Sequence, residues 1–170
     1  MMRIVILASG AGSNAENIIN YFKNSDEISV TQVMSNRKDA KVIERAERLK
    51  VSNISFNRND FYETDKVLKI LKENADYIIL AGFLWKLPEV IINTFPNKII
   101  NIHPALLPKY GGKGMYGIHV HEAVVKNNEK ESGITIHYVN ENYDEGAIIF
   151  QKRFDVLPID TANDVAQKIH

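Results

Sequence analysis

The strongest constraint on the fold of this chain is the way short apolar runs alternate with stretches of helical periodicity. Arg3 to Ala8 is a continuous apolar run, and Asn14 to Lys23 follows with Ile18, Ile19 and Phe22 at helical spacing. Ile28 to Met34 is rich in β-formers, Ala40 to Leu49 is helical with its charges outside, and Asn53 to Phe56 is a short strand. Asp60 to Asn74 reads as one helix with Val67, Leu68 and Leu71 on one side, followed by strands at Tyr77 to Leu80 and Lys98 to His103. Strands that recur with helices between them argue for a parallel sheet covered on both faces. The unbroken apolar runs agree, because a parallel strand is buried on both sides. After Pro104 the pattern changes. A glycine-rich loop from Gly111 to Gly117 precedes a helix at His119 to Lys126, and Gly133 to Val139 and Ala147 to Phe154 then read as an antiparallel hairpin joined by Asn140 to Gly146. The expected architecture is α/β: a Rossmann-like, mostly parallel twisted sheet with helices on both faces and a C-terminal antiparallel hairpin.

A chain of 170 residues is expected to form a single domain, residues 1–170, burying about 70% of the surface its unfolded form exposes. The 21 basic and 21 acidic side chains leave no net field to draw it to nucleic acid or an anionic membrane. The absence of cysteine excludes disulfides, thiolate metal sites and a cysteine nucleophile, and fits a reducing cytoplasm. The apolar start, Met1 to Ser9, is too short to span a membrane and lacks the form of a signal peptide. Thr161-Ala162-Asn163-Asp164 has capping-box form and opens a last helix. The chain stops at His170 inside that helix with no stop signal, so the C-terminal segment is expected to be truncated.

The polar residues that interrupt this frame are the candidates for function. Asn101 and His103 lie two apart on a strand, so they share a face about 6.6 Å from each other. Pro104 ends the ladder just beyond them. An amide and an imidazole thus stand at the C-terminal end of a strand, where open α/β sheets bind ligands. Such a pair can stabilise an oxyanion and carry a proton, or it can be a satisfied polar pair at a strand end. Ser9 to Ala15 fits G-x-G-x-x-A between a strand and a helix. Its free N–H groups and helix dipole would suit a phosphate, with Ser13 and Asn14 adding donors, although a tight turn is the plainer alternative. No acid follows the second strand to hold a cofactor ribose, so a single phosphate fits better than a dinucleotide. Asp144, in Tyr143-Asp144-Glu145-Gly146, is either ordinary turn chemistry or a carboxylate that reaches His103, raises its pKa and favours imidazolium. His119 and His121, two apart on a helix, do not face each other and make a poor metal site. His137 reads as a core or hairpin residue. Gly82 to Pro88 is an apolar loop that either packs or walls a flat ligand, and Arg58 either meets a phosphate or sugar or is a solvated charge.

Taken together, Asn101-x-His103-Pro104-x-Leu106-Leu107-Pro108, Gly10-x-Gly12-Ser13-Asn14, Ala81-Gly82-Phe83, Gly133-Ile134-Thr135 and Asp144-x-Gly146 resemble the folate-dependent formyltransferases. The resemblance runs from Arg3 to about Lys168. It implies transfer of a formyl group from 10-formyltetrahydrofolate to the primary amine of a ribonucleotide, phosphoribosylglycinamide in purine synthesis, without a metal or a covalent intermediate. It implies that Asn101, His103 and Asp144 are catalytic. It assigns Gly12, Ser13, Asn14 and Arg58 to the substrate, and Leu84, Trp85 and Leu87 to the pteridine with the backbone of Asn140, Glu141 and Tyr143. The implied partners are small molecules, with no nucleic acid or membrane, for a monomer or weak homodimer in the cytoplasm. Two departures stand out. The Gly111–Gly117 loop is longer than in well-known members, and the chain ends just before a position where the family places a substrate-binding Glu. The alternatives are a 10-formyltetrahydrofolate hydrolase and an NADP- or nucleotide-binding protein.

Overall fold

The computed structural model describes all 170 residues, Met1–His170. In chain order the elements are β1 (Met2–Leu7), α1 (Ser13–Phe22), β2 (Ile28–Ser35), α2 (Lys41–Arg48), β3 (Ser52–Ser55), α3 (Arg58–Tyr62), α4 (Lys66–Asn74), β4 (Tyr77–Leu80), α5 (Glu89–Thr94), β5 (Ile99–His103), α6 (Ile118–Lys126), β6 (Glu131–Tyr138), β7 (Ile148–Asp155) and α7 (Ala162–Ile169). The hydrogen-bonded strand order is β3-β2-β1-β4-β5-β6-β7. The chain divides into two compact units, Met1–Ile100 and Asn101–His170. No helix is long and apolar enough to cross a membrane.

In Met1–Ile100, β1 pairs in parallel with both β2 and β4, and β2 with β3. Alternation along β1 sends Ile4 and Ile6 to one face, where they pack with Ala15 and Ile19 of α1 and Val42 and Ala46 of α2. Val5 and Leu7 point the other way and are fully buried, with α4 against β1. Each such side chain contributes about 1.5–3 kcal/mol of burial. Truncating Ile6 or Leu7 to alanine is expected to cost about 2–5 kcal/mol. The β1–β2 ladder slips at Ile4/Val5. Thr31, the extra residue on β2, sets its hydroxyl 3.1 Å from the Ile4 carbonyl and 2.8 Å from the Asn74 carbonyl at the end of α4. A parallel bulge is thereby used to tie strand to helix.

Arg3 and Asp76 close the other end of this sheet. The Arg3 guanidinium donates to both carboxylate oxygens, at 3.2 and 2.9 Å, and the Arg3 N–H adds a third bond at 2.8 Å. These bonds pull the Asp76 carboxyl down to about 2.

The expected helix from Asp60 to Asn74 is two helices. Asn57 caps α3 through the Asp60 N–H, and Asp60 reciprocates to the Asn57 N–H. Thr64 then accepts from the Lys66 N–H at 3.3 Å and bonds the Asp60 carbonyl at 3.2 Å. Those local bonds compete with the helical ladder and break it. The six-residue α5 did not show in the sequence, because it is too short to display a period.

In Asn101–His170, β6 and β7 pair antiparallel, with Glu131 opposite Asp155 and Thr135 opposite Gln151. Gly133 is required here, since a Cβ would lie 1.9 Å from the Lys152 carbonyl oxygen. Behind the hairpin, Val124 of α6 and Val165 of α7 pack with Val156. The expected capping box forms: Thr161 accepts from the Asp164 N–H, and Asp164 accepts from the Thr161 N–H.

Candidate active site

Strand β5 delivers Asn101 and His103, and the β6–β7 connection delivers Asp144. His103 is 3% exposed. Asp144 adopts φ +55°, a left-handed turn conformation that Asp tolerates better than most residues. One carboxylate oxygen is the hub of the site. Asp144 Oδ1 lies 3.5 Å from Asn101 Nδ2, 3.5 Å from His103 Nδ1 and 3.5 Å from His137 Nε2. The other oxygen, Oδ2, accepts from the Gly112 N–H at 2.9 Å. Of the three contacts at Oδ1 only that from Asn101 is a hydrogen bond, at the outer limit of its range, and such contacts commonly tighten around a bound substrate.

The tautomers follow from the carbonyls. His103 Nε2 stands 2.7 Å from the Tyr110 carbonyl, which can only accept, so Nε2 carries the hydrogen. Nδ1 is then the nitrogen that faces Asp144. His137 Nδ1 donates to the Tyr138 carbonyl at 2.9 Å, so its Nε2 accepts from Asn101 Nδ2 at 3.1 Å. Asn101 thereby spends one N–H on His137 and holds the other toward Asp144.

The charge of His103 corrects the expectation from sequence. Asp144 does pull the imidazole pKa up, and so does the Tyr110 carbonyl, but burial is the larger effect and the net displacement is downward from 6.5. Resting His103 is neutral. Burial pushes the Asp144 carboxyl up, yet the contact with His137, the charge His103 takes on when protonated and the Gly112 N–H outweigh it, so the carboxyl lies below its usual range and is ionised. A buried ring loses more by leaving water than one carboxylate at 3.5 Å returns.

The loop after β5 is pinned from β6 and β7. Thr135 donates to the Ala105 carbonyl at 2.7 Å and accepts from the Leu107 N–H at 3.1 Å. Gln151 bonds the Leu107 carbonyl and the Thr135 hydroxyl, both at 2.9 Å. Thr135 and His137 are buried polar residues at alternating positions of one strand. The sequence placed His137 as a core or hairpin residue and gave it no part in the site. The available signal was that the inward face of a strand carried a hydroxyl and an imidazole where apolar residues belong.

Of the other expected site residues, Asn140, Glu141 and Tyr143 lie on the connection that carries Asp144, where Asn140 Oδ1 caps the Asn142 N–H at 2.9 Å. Glu141 and Tyr143 are exposed. The rest lie in Met1–Ile100. Gly12 is the N-cap of α1 with φ +76°, and no side chain caps the helix. A Cβ on Gly12 would lie 2.5 Å from Val42 Cβ, so neither the space nor the backbone admits another residue. Ser9 joins this loop to the one holding Leu84: its N–H donates to Gly82 at 3.0 Å and its hydroxyl accepts from the Leu84 N–H at 3.0 Å. Leu84 is half exposed, whereas Leu87 is buried. Trp85 joins Phe56, Phe61, Tyr62 and Phe83 in an aromatic cluster. Arg58 stacks its guanidinium 5.0 Å from the Tyr62 ring centroid and 5.5 Å from that of Trp85. It is an exposed cation set against two aromatic rings.

No group of three or more His, Cys, Asp or Glu side chains could hold a metal ion. His119 pairs with Glu122 at 3.2 Å on the surface, while His121 is buried.

The chain is 35% identical over 174 residues to the chloroplastic phosphoribosylglycinamide formyltransferase of Arabidopsis thaliana, a match covering 98% of this chain and 60% of that protein. It is 32% identical over 174 residues to the phosphoribosylglycinamide formyltransferase of Escherichia coli K12, covering 99% of this chain and 80% of that one. The crystal structure of glycinamide ribonucleotide transformylase 1 from Symbiobacterium toebii superposes with a TM-score of 0.90 at 31% identity, over 99% of this chain and 80% of that one. The chain therefore spans about three fifths of the plant relative's length. The formyl transferase family pattern matches residues 2–170, so the chain belongs to the formyl transferase family.

Proposed function

We propose that this protein transfers the formyl group of 10-formyltetrahydrofolate to the amine of 5'-phosphoribosylglycinamide, a step of purine biosynthesis in one-carbon metabolism. The observation that carries the reading is the convergence of Asn101 Nδ2, His103 Nδ1 and His137 Nε2 on Asp144 Oδ1, each at 3.5 Å. The amine attacks the formyl carbon, the new C–N bond forms, and the carbonyl oxygen takes up negative charge. The Asn101 N–H held toward Asp144 moves to that oxygen. One such donor is commonly worth about 10²–10³ in rate. Neutral His103 takes the amine proton at Nδ1, which faces the ionised Asp144. The imidazolium so formed is stabilised by that carboxylate and by the Tyr110 carbonyl, and it adds its charge to the oxyanion hole. The C–N bond to the folate then breaks, and the proton passes to the leaving folate nitrogen.

The open α1 N-terminus at Gly12, Ser13 and Asn14 takes the substrate phosphate. Arg58 on its aromatic shelf takes an anionic part of a substrate. Leu84, Trp85 and Leu87 are assigned to the folate, as is the backbone of Asn140, Glu141 and Tyr143. The cysteine-free sequence suits work in a reducing cytoplasm, and the assembly is read as a monomer or weak homodimer. The direct test is a formyl-transfer assay with 10-formyltetrahydrofolate and phosphoribosylglycinamide. Formylated amine and tetrahydrofolate in equal amounts support the reading, and release of formate without formylated amine refutes it in favour of hydrolysis.

A further inference from the structure

Tyr110 connects His103 to a carboxylate outside the catalytic trio. Its φ is +57°, a conformation that crowds any side chain other than glycine. Four contacts hold it there. Its carbonyl accepts the His103 Nε2 hydrogen at 2.7 Å. Its ring rests on the cluster of Val124, Val156 and Val165. Its phenol donates to Glu129 Oε1 at 2.8 Å and also bonds the Asn127 side chain, and Lys109 Nζ donates to the same Glu129 oxygen at 3.2 Å. Glu129 itself is fixed in the turn after α6 by a bond from its N–H to the Val124 carbonyl, at 3.2 Å. The two residues after Tyr110 complete a strap across the site. A Cβ on Gly111 would lie 2.6 Å from Leu107 Cδ2 and 3.2 Å from Asp144 Cβ, and the Gly112 N–H holds Asp144 Oδ2 at 2.9 Å.

We propose that Glu129 is a positioning residue for the transfer: by gripping the Tyr110 phenol it keeps the Tyr110 carbonyl on His103 Nε2 and so leaves Nδ1 as the working nitrogen. The inference rests on the reading of His103 as the proton acceptor. A neutral imidazole carries one hydrogen, and the bond at one nitrogen decides which of the two holds it. Ionised Asp144, 3.5 Å from Nδ1, favours the Nδ1–H form, which has no lone pair there to receive the amine proton. The Tyr110 carbonyl favours the opposite, productive form. Without Glu129 the phenol keeps only Asn127, and Tyr110 loses the charged anchor of its left-handed conformation. The peptide then turns, its carbonyl leaves the ring, and Asp144 decides the tautomer.

The experiment combines steady-state kinetics with ¹⁵N spectra of the histidine rings in the full chain, for Glu129→Ala, Glu129→Gln and Tyr110→Phe. Glu129→Ala and Tyr110→Phe are expected to lower kcat about tenfold, the scale seen when a partner orienting a functional histidine is removed. Both KM values should stay within about twofold, and the double variant should be no worse than either single one, because both residues act through one connection. Glu129→Gln keeps an acceptor for the phenol and should restore most of kcat. His103 should give the Nε2–H signature in the wild type and a growing Nδ1–H signature in the two damaging variants. The acid limb of the rate profile should also move to lower pH, with Asp144, His137 and His121 still facing the ring. Unchanged kcat and ring signals in Glu129→Ala would overturn the proposal, as would a fall in kcat with unchanged ring signals. If Glu129→Ala does not fold, the rings of Tyr110→Phe decide the matter. If the wild type forms no formylated amine, the functional reading fails, while the ring signals still report whether Glu129 sets the tautomer.

Discussion

Asp144 holds its carboxylate 3.5 Å from Nδ1 of His103, and that carboxylate does not set the resting charge of the ring. Burial does, and it leaves His103 a neutral base beside an ionised acid. A proton arriving from the attacking amine satisfies both groups at once. This arrangement has consequences that can be measured.

The first concerns pH. Because the folded pKa of His103 lies below 6.5, kcat/KM should rise as pH increases through that lower value and then level off toward neutrality. Folding should respond with the same sign. The unfolded chain takes up the proton first, so stability is lost as pH falls from 6.5 toward the folded pKa. A rate that declines steadily between about pH 6 and pH 8 would mean that imidazolium is the required resting form.

The second concerns the trio. Asp144→Asn and His103→Ala should each lower transfer by about 10³-fold or more, since proton transfer and charge stabilisation are lost together. Asp144 lies in a turn and His103 at a strand end, so both variants should stay folded by circular dichroism. Turnover near the wild-type level in either one would remove that residue from the mechanism.

His137 makes a third case. It accepts an Asn101 N–H at 3.1 Å in a buried setting. His137→Ala leaves that donor without a partner, at a cost of about 1–3 kcal/mol, readable in urea melts. It should also lower kcat more than it raises either KM, because it frees Asn101 to turn from the reacting oxygen.

Gly12 tests the phosphate loop. Gly12→Ala places a Cβ 2.5 Å from Val42 Cβ at φ +76°. The strain should lower stability by about 1–3 kcal/mol. KM for the phosphorylated substrate should rise, while KM for the folate should move little. Equal increases in both would argue that the loop serves the fold alone.

Asp76 offers a test remote from catalysis. The Arg3 bonds hold its carboxyl at about 2. Their contribution is therefore present above the ordinary carboxyl range and lost as pH falls through about 2. Asp76→Asn should melt below the wild type at neutral pH, with the gap closing in strong acid. A gap independent of pH would mean that shape rather than charge makes the difference.

The sequence by itself determined the alternation of strands and helices, the parallel sheet and the closing hairpin, and it singled out Asn101, His103 and Asp144 as candidates. These are legible because periodicity, glycine turns and capping residues act over a few neighbours in the chain. Asp60 to Asn74 shows the limit of that legibility. A break made by Thr64 hydrogen bonds leaves the apolar period intact, so one helix was expected where two form. Only the tertiary structure decided that His137 backs Asn101, that the Tyr110 carbonyl claims His103 Nε2, and that His103 rests neutral. The physical reason is that tautomer and charge depend on desolvation and on the carbonyl that each nitrogen meets. Both are set by strands and loops that come together only on folding.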